Sequence, residues 1–444
     1  MIELKEERNV YLSNFASLEK RLKEKRPAWL RALCKDAISC FTELGFPTTR
    51  DEDWRYTSVA PIARTAFKPA VYQVNGWSPS RLADVTLGEV ACTQLVFLNG
   101  HFSQELSSPG KLPEGVKAGS LASALDSDGG LLEEHLARYA SYRRNAFTAL
   151  NTAFVEDGAF VYLPKDAVVK EPIHLLFLST ASKDPAVCHP RNLIVAGSSA
   201  QATVIESYAG LEGGVYFTNA VTEIVTGEQS RIDHTRLQRE SERAFHVATM
   251  EVSQHRDSAF ASRSISIGGK LVRNDLNVLL NGEGCDCTLD GLYFAGGEQH
   301  VDNHTTIDHA KPHCSSRELY KGILDGKSTG VFNGKIIVRK DAQKTDARQT
   351  NNNLLLSEES LINTKPQLEI LADDVKCTHG ATIGQLDEEA LFYLRTRGIG
   401  DAAARSLLTY AFASEIIGRI RIQPIQCRLD LLLSRSLSKG HETL

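Results

Sequence analysis

The residues best suited to chemistry stand near the C-terminal end, in the run KPQLEILADDVKCTHGATIGQ. Cys377 and His379 are an i, i+2 pair. On a strand both side chains leave the same face, about 7 Å apart. Thiolate and imidazole are the ligand types that hold iron, zinc and iron–sulfur clusters. Gly380 follows directly, and its bare backbone permits close approach of another chain. Two ligands do not complete a metal site. The pair is either a structural accident or half of a site finished by a partner.

Other clusters carry less. His300, His304, His309, His313 and Cys314 form the densest group of ligand types in the chain. If His300 and His304 share a strand they lie on one face, but about 13 Å apart, too far for one metal to bridge. With Asp302 and Asp308 between them, they read as a polar outer face. Those aspartates also fit a polysaccharide enzyme that uses paired carboxylates for calcium or acid–base work. Such enzymes are usually exported, and the sequence shows no export signal. Cys285 and Cys287 read as packing along a strand ladder. The segment GILDGKST from Gly322 resembles a phosphate-binding loop but has Lys321 where the first glycine belongs. The Ser328-Thr-Gly-Val-Phe-Asn-Gly that follows cannot open the helix that such a loop needs.

These groups sit in a region, about Asn151 to Gln385, with almost no helical periodicity. Phe245–Val252 and Ser262–Ile267 alternate apolar or small residues with polar ones, the pattern of half-buried strands. Gly268-Gly269, Asn281-Gly282, Asp290-Gly291, Asp325-Gly326 and Asn333-Gly334 read as turns. Hairpins or solenoid coils both give that beat. More than two hundred residues of strand without a helix favour a β-helix on size, with a flat outer face suited to another protein.

Helices are expected at both ends. Tyr11, Phe15, Leu18 and Leu22 mark one stripe, and a second helix runs from Pro27 to Gly45. TTRDEDWRYTSVAPI reads as a loop clamped by Trp54 and Tyr56. A strand is predicted at Gln94–Leu98 and a helix at Leu131–Tyr142. After Gln385, Asp387 is a natural N-cap and Gly398 a helix stop. A second helix from Asp401 places Leu407, Leu408, Ala411, Phe412 and Ile416 on one stripe, and a last piece spans Leu429 and Leu431–Leu433. The organisation is 1–150 helical and mixed, 151–385 β-helix, 386–444 helical.

The 444 residues carry a formal charge of −5, which gives no argument for nucleic acid or an anionic membrane. No run reaches the roughly 18–20 uncharged residues of a membrane span, and a soluble, cytoplasmic protein is expected. Nine scattered cysteines argue against a complete disulfide framework.

Four stretches resemble one family. KPQLEILADDVKCTHGATIGQLDEEALFYLRTRGI, YKGILDGKSTGVFNGKIIV from Tyr320, DARQTNNNLLLS from Asp346 and DEDWRYT from Asp51 are similar to the SufB/SufD family of the SUF iron–sulfur assembly system. Two details favour the SufD branch. SufB has a glutamate where Gly380 stands, and a cluster cysteine within the segment matching Gln349–Asn353, where this chain has none. The resemblance implies a right-handed parallel β-helix between helical domains, and a non-catalytic scaffold subunit. It implies pairing with SufB through the β-helix and docking of the ATPase SufC on the C-terminal helices, with Leu407, Leu408, Ala411 and Phe412 as candidate contacts. A homodimer is the arrangement open to the chain in isolation. His379, with Cys377 beside it, would face the SufB interface and meet iron or a nascent cluster there. No nucleotide is expected in this chain, and its residues carry no argument about a flavin. The competing readings are a β-helix polysaccharide enzyme and a homodimeric adaptor without a ligand role.

Overall fold

The computed structural model describes residues 3–72, 77, 79–83, 85–86, 90–180, 184–211 and 213–439. From Tyr216 onward, each strand lies parallel to the strand two places before it. One sheet keeps the register Phe217, Phe245, Leu271, His300, Thr329, Leu361. The other keeps Arg231, Ala259, Asp286, Ser315, Asp346, Lys376. Strands alternate between the two sheets, so the chain winds as a parallel β-helix rather than folding back in hairpins. Period-two sequence turns every second residue into the space between the sheets. Phe260, Cys287, Leu289, Ile307, Tyr320 and Phe332 fill part of that lumen.

Not every glycine dipeptide is a turn. Gly268, Gly269 and Gly326 have positive φ and close coils as expected. Gly291 and Gly334 instead lie inside the strands Asp286–Ala295 and Thr329–Val338. Their small size makes room in the lumen. A Cβ on Gly291 would stand 2.2 Å from the Tyr320 ring, and one on Gly334 would stand 2.2 Å from the Gln349 amide nitrogen. Gly322 of the GILDGKST segment has the same role, beside the Tyr293 ring. That segment runs strand, turn, strand, with no helix to hold phosphate.

The N-terminal helices Glu3–Leu22 and Ala28–Leu44 cover the outer face of the first sheet, with Tyr11, Phe15, Leu30 and Phe41 in one core with Phe217, Phe245 and Leu271. Thr93–Leu98 joins the base of the second sheet by pairing parallel with Ile173–Ser179. The chain is still helical at Ala146–Ala153, capped by Asn145, before the strands begin. The helix predicted over Leu131–Tyr142 stops at His135. Beyond it, the backbone N–H groups of Ala137, Tyr139 and Ala140 all donate to the buried Glu223 carboxylate at 2.9 Å. A carboxylate that accepts three charge-assisted bonds outcompetes another helical turn.

Past the solenoid, Asp387 caps Glu388–Thr396 as expected, and Gly398 at φ 83° ends it. Asp401–Ile417 and Gln423–Lys439 follow, the latter with Pro424 in its first turn. That last helix runs on to Lys439, past Leu433, where the predicted piece ends. Ala413, Ile416, Ile420 and Leu429 bury themselves against Ile205, Ile265, Leu292 and Leu319 on the second sheet.

Candidate metal centre

Lys376–Gly384 and Leu361–Ile370 are the terminal strands of the two sheets, and each pairs along one side only. The Lys376 N–H donates to the Thr345 carbonyl, back towards the body of the solenoid. Backbone groups alternate sides along a strand in a parallel sheet. Cys377, His379, Ala381 and Ile383 therefore turn their N–H and C=O to the open edge. On the other strand, Leu361 and Leu371 donate inward, which puts Pro366 at an edge position, where a missing N–H costs nothing. Ile370, Leu371 and Ile383 are 40%, 66% and 52% exposed along this end. An open two-strand edge with exposed apolar side chains is a template for pairing with another chain.

The side chains of the pair face the lumen. His379 tops the column Val204, His234, Ser262, Leu289, Glu318, Gln349, and Cys377 tops Ala202, Ile232, Phe260, Cys287, Ser316, Ala347. Every member below the last rung is buried. His379 is exposed and Cys377 half-buried because no further coil lies over them. Burial, with Asp346 adding to it, pushes the Cys377 thiol up, so at neutral pH it holds its proton until a metal or a cation takes its place. A Cβ on Gly380 would touch nothing in this chain. Neither crowding nor a positive φ within the chain calls for glycine there, which leaves the bare edge for something outside.

The lumen beneath holds polar groups that sequence reasoning missed. Glu206 lies 3.4 Å from His234 Nε2 and accepts the Tyr208 hydroxyl at 2.6 Å. Burial pushes the Glu206 carboxyl up, but His234, Tyr208 and Arg236 together bring it below its ordinary range. Glu240 stands 2.7 Å from His246 Nδ1. Nearer the open end, Glu318 accepts from the Gln349 amide at 2.8 Å. Burial raises the Glu318 carboxyl to about 7, against the pull of the Thr305 hydroxyl and the Gln349 amide.

A carboxyl raised in the folded state holds a proton that the unfolded chain releases near pH 4.3. Its contribution to stability is full below that value and is lost as pH climbs through 7. Glu318→Gln is therefore expected to stabilise the protein at pH 8, by up to about 3 kcal/mol, with little effect at pH 5. Urea midpoints at the two pH values check this, and equal shifts at both would contradict it.

The histidine-rich stretch disperses. His300 and His304 do share an outer face, as expected, but under the Asp51–Thr57 segment. His300 Nε2 lies 2.8 Å from the Thr57 hydroxyl, and His304 lies 3.1 Å from Asp302. His309 points into the lumen against Ser316, and His313 sits in a turn. Asp302 is tied to Arg273 at 2.5 Å and Asp308 to Arg339 at 2.7 Å, so neither of these two aspartates is a free carboxylate. Among the described residues, no three His, Cys, Asp or Glu side chains gather as a metal site. Trp54 clamps its segment as expected, buried over Arg273, whereas Tyr56 faces outward at 44% exposure.

The C-terminal stripe divides. Phe412 leans on the solenoid, with the Lys321 ammonium 4.5 Å from its ring and bonded to its carbonyl at 3.0 Å. Leu408 is half-buried beside Leu386 and Leu391. Leu407 and Ala411 face outward, and Phe392 and Tyr393 on the preceding helix are also exposed.

The fold is a parallel β-helix flanked by helices on both sheets, and its open end presents a thiol and an imidazole. The family comparison names the class. Residues 177–412 match the model described as SUF system FeS cluster assembly, SufBD core domain, and residues 5–175 match the SufBD protein N-terminal region. The chain belongs to the SufBD family of iron–sulfur cluster assembly proteins. It is 37% identical to an iron-sulfur cluster assembly SufBD family protein of Synechocystis over 409 residues, 90% of this chain and 89% of that one. It is 31% identical to the iron-sulfur cluster assembly protein SufD of Escherichia coli over 398 residues, covering 89% and 90%. To SufD of Bacillus subtilis it is 25% identical over 444 residues, covering 96% and 97%. No helix among the described residues is long and apolar enough to cross a membrane.

Proposed function

We propose that this chain is the SufD-type, non-catalytic subunit of a SUF scaffold, and that it pairs with SufB through the open end of its solenoid. The observation that carries this reading is the last rung. Two edge strands, an apolar rim and two soft-metal ligands are left uncovered by the chain's own elements. A second solenoid laid edge to edge would satisfy the unpaired backbone and bring further ligands to Cys377 and His379. Iron or a nascent cluster, as cargo, would be held between the subunits.

The C-terminal helices are the docking place for SufC in this reading, on the outward side marked by Leu407, Ala411, Phe392 and Tyr393. Leu408 and Phe412 act indirectly, by seating that helix on the solenoid. ATP-driven approach of two SufC subunits would pull on these helices and shift the pairing at the open end, exposing the ligands. ATP hydrolysis belongs to SufC.

Co-expression with SufB and SufC, followed by measurement of subunit ratio and iron content, tests the assembly. Leu407→Asp is expected to reduce co-purification of SufC at least tenfold while SufB stays bound, because one buried charge at an apolar contact costs several kcal/mol. Retention of SufC by that variant would place the docking surface elsewhere. A chain that forms only homodimers beside both partners would end the scaffold reading in favour of an adaptor.

A further inference from the structure

Beneath the imidazole at the open end lies a buried amide with one side unused. Gln349 is the in-register partner of His379 on the strand below, and Glu318 is the partner of Gln349 one strand further down. Gln349 is 1% exposed and Glu318 is 3% exposed. The Gln349 Nε2 donates to Glu318 Oε2 at 2.8 Å, and the Gln349 Oε1 is a buried acceptor with no protein partner. From Asp346 to the end of the last strand, no other described side chain leaves a buried acceptor in this state.

The surroundings keep the amide in place. Gly334 faces it across the lumen, and a Cβ there would stand 2.8 Å from its Cδ. The neighbouring Asn351 is spoken for, since its Oδ1 accepts from Asn353 and Thr364 and its Nδ2 donates to the Tyr320 carbonyl. Pro366 stands over Gly334 on the last rung and brings no hydrogen-bonding side chain. The bond to Glu318 Oε2 commits the Gln349 nitrogen and leaves its carbonyl oxygen available.

We infer that Gln349 is a positioning residue for His379: its Oε1 accepts the ring N–H of the imidazole when the other ring nitrogen binds metal, and Glu318 holds the amide the right way round for it. A metal-bound histidine almost always donates its second nitrogen to a carboxylate or carbonyl, which fixes the tautomer and raises ligand basicity. In this chain the acceptor is a side-chain amide, built one rung below and oriented by a carboxylate one rung lower still. His379 is thereby presented as a ligand through a defined nitrogen, with its ring turned over the lumen rather than free on the rim. This rests on the reading of His379 as a ligand at the SufB interface.

The test uses the complex of this chain with SufB and SufC, and ferrous iron as the probe under anaerobic conditions. Gln349→Met keeps the length of the side chain and removes the acceptor. It is expected to weaken iron binding 10- to 100-fold, the usual loss for an outer-shell partner, with subunit ratio and thermal midpoint held. A second readout is independent of binding strength. In the complex loaded with zinc at saturation, with this chain alone labelled at histidine, the His379 ring N–H should exchange slowly with solvent. In Gln349→Met it should exchange fast. Glu318→Leu, which frees the amide to turn, should give the same change to a smaller degree, and it serves if Gln349→Met fails to fold. Unchanged affinity and unchanged N–H exchange in the folded variants would overturn the positioning role. Undiminished iron loading in His379→Ala would instead remove the ligand reading itself, and the two failures are told apart by which substitution is silent.

Discussion

Replacing His379 by alanine is expected to leave the fold and the subunit ratio of the complex unchanged and to lower the yield of assembled iron–sulfur cluster by an order of magnitude or more. The stability half follows from placement. His379 is exposed on the last strand, and no described side chain bonds to it, so its removal should stay within about 0.5 kcal/mol. The functional half follows from chemistry. The imidazole is accessible at the edge, while the neighbouring Cys377 thiol is held up by burial and packs beside Ile336, Val338 and Ala347. The imidazole is then the readier ligand, and the thiol joins only once a metal displaces its proton. Cys377→Ala should show a smaller loss of cluster and a larger loss of stability, about 1 kcal/mol. Cluster content by iron and sulfide analysis, beside thermal midpoints, checks both halves. A ranking in which Cys377→Ala abolishes assembly and His379→Ala does not would reverse the roles of the two ligands.

How much of this could be read from the residues depends on where each pattern gets its meaning. Alternation in Phe245–Val252 reports strand locally, and the Asp387 cap reports helix locally, so both were legible. Gly291 and Gly334 were not. A glycine after aspartate or asparagine looks like a turn unless one knows that Tyr320 or Gln349 leans into its space from the next coil. The strand Arg231–Glu240 shows the same limit. Its lumen positions are Ile232, His234, Arg236, Gln238 and Glu240, all buried, and nothing local distinguishes that polar file from a solvated face. Pairing with Glu206 and His246 gives those groups their partners, and pairing is a property of the stack. The helix lost after His135 has a similar cause, since Glu223 lies more than eighty residues away in sequence. The Cys377 and His379 pair was visible because i, i+2 spacing is local. The amide under it was visible only once register placed Gln349 below His379.

Arg273→Leu is expected to destabilise the protein by about 3–5 kcal/mol, the cost of leaving buried carboxylates without their cation. Arg273 is 2% exposed and bonds Asp302 at 2.5 Å and Asp275 at 2.8 Å. It also donates to the Asp53 carbonyl at 2.8 Å and lies 4.3 Å from the Trp54 ring. One guanidinium therefore holds the Asp51–Thr57 segment to the solenoid, helped by Thr57 donating to Asp302 at 2.5 Å. Against burial, which pushes it up, Arg273 and His304 hold the Asp302 carboxyl well below the usual range. In the parent, the stability this carboxylate contributes is present above pH 4 and lost as pH falls towards its folded value. Without Arg273 the sign reverses: burial raises the carboxyl, the folded state takes up a proton first, and acidification relieves the penalty. The gap between parent and variant should thus be widest near pH 8 and narrow by pH 5, read from urea midpoints. Adding Asp302→Leu to the variant should recover part of the loss at pH 8, since the orphaned charge is gone. Trp54 gives a local signal, because a released segment moves its indole from a buried site over a cation into water, shifting its fluorescence to the red. A variant as stable as the parent at pH 8, with unchanged tryptophan emission, would mean that the N-terminal segment is held by its apolar contacts alone.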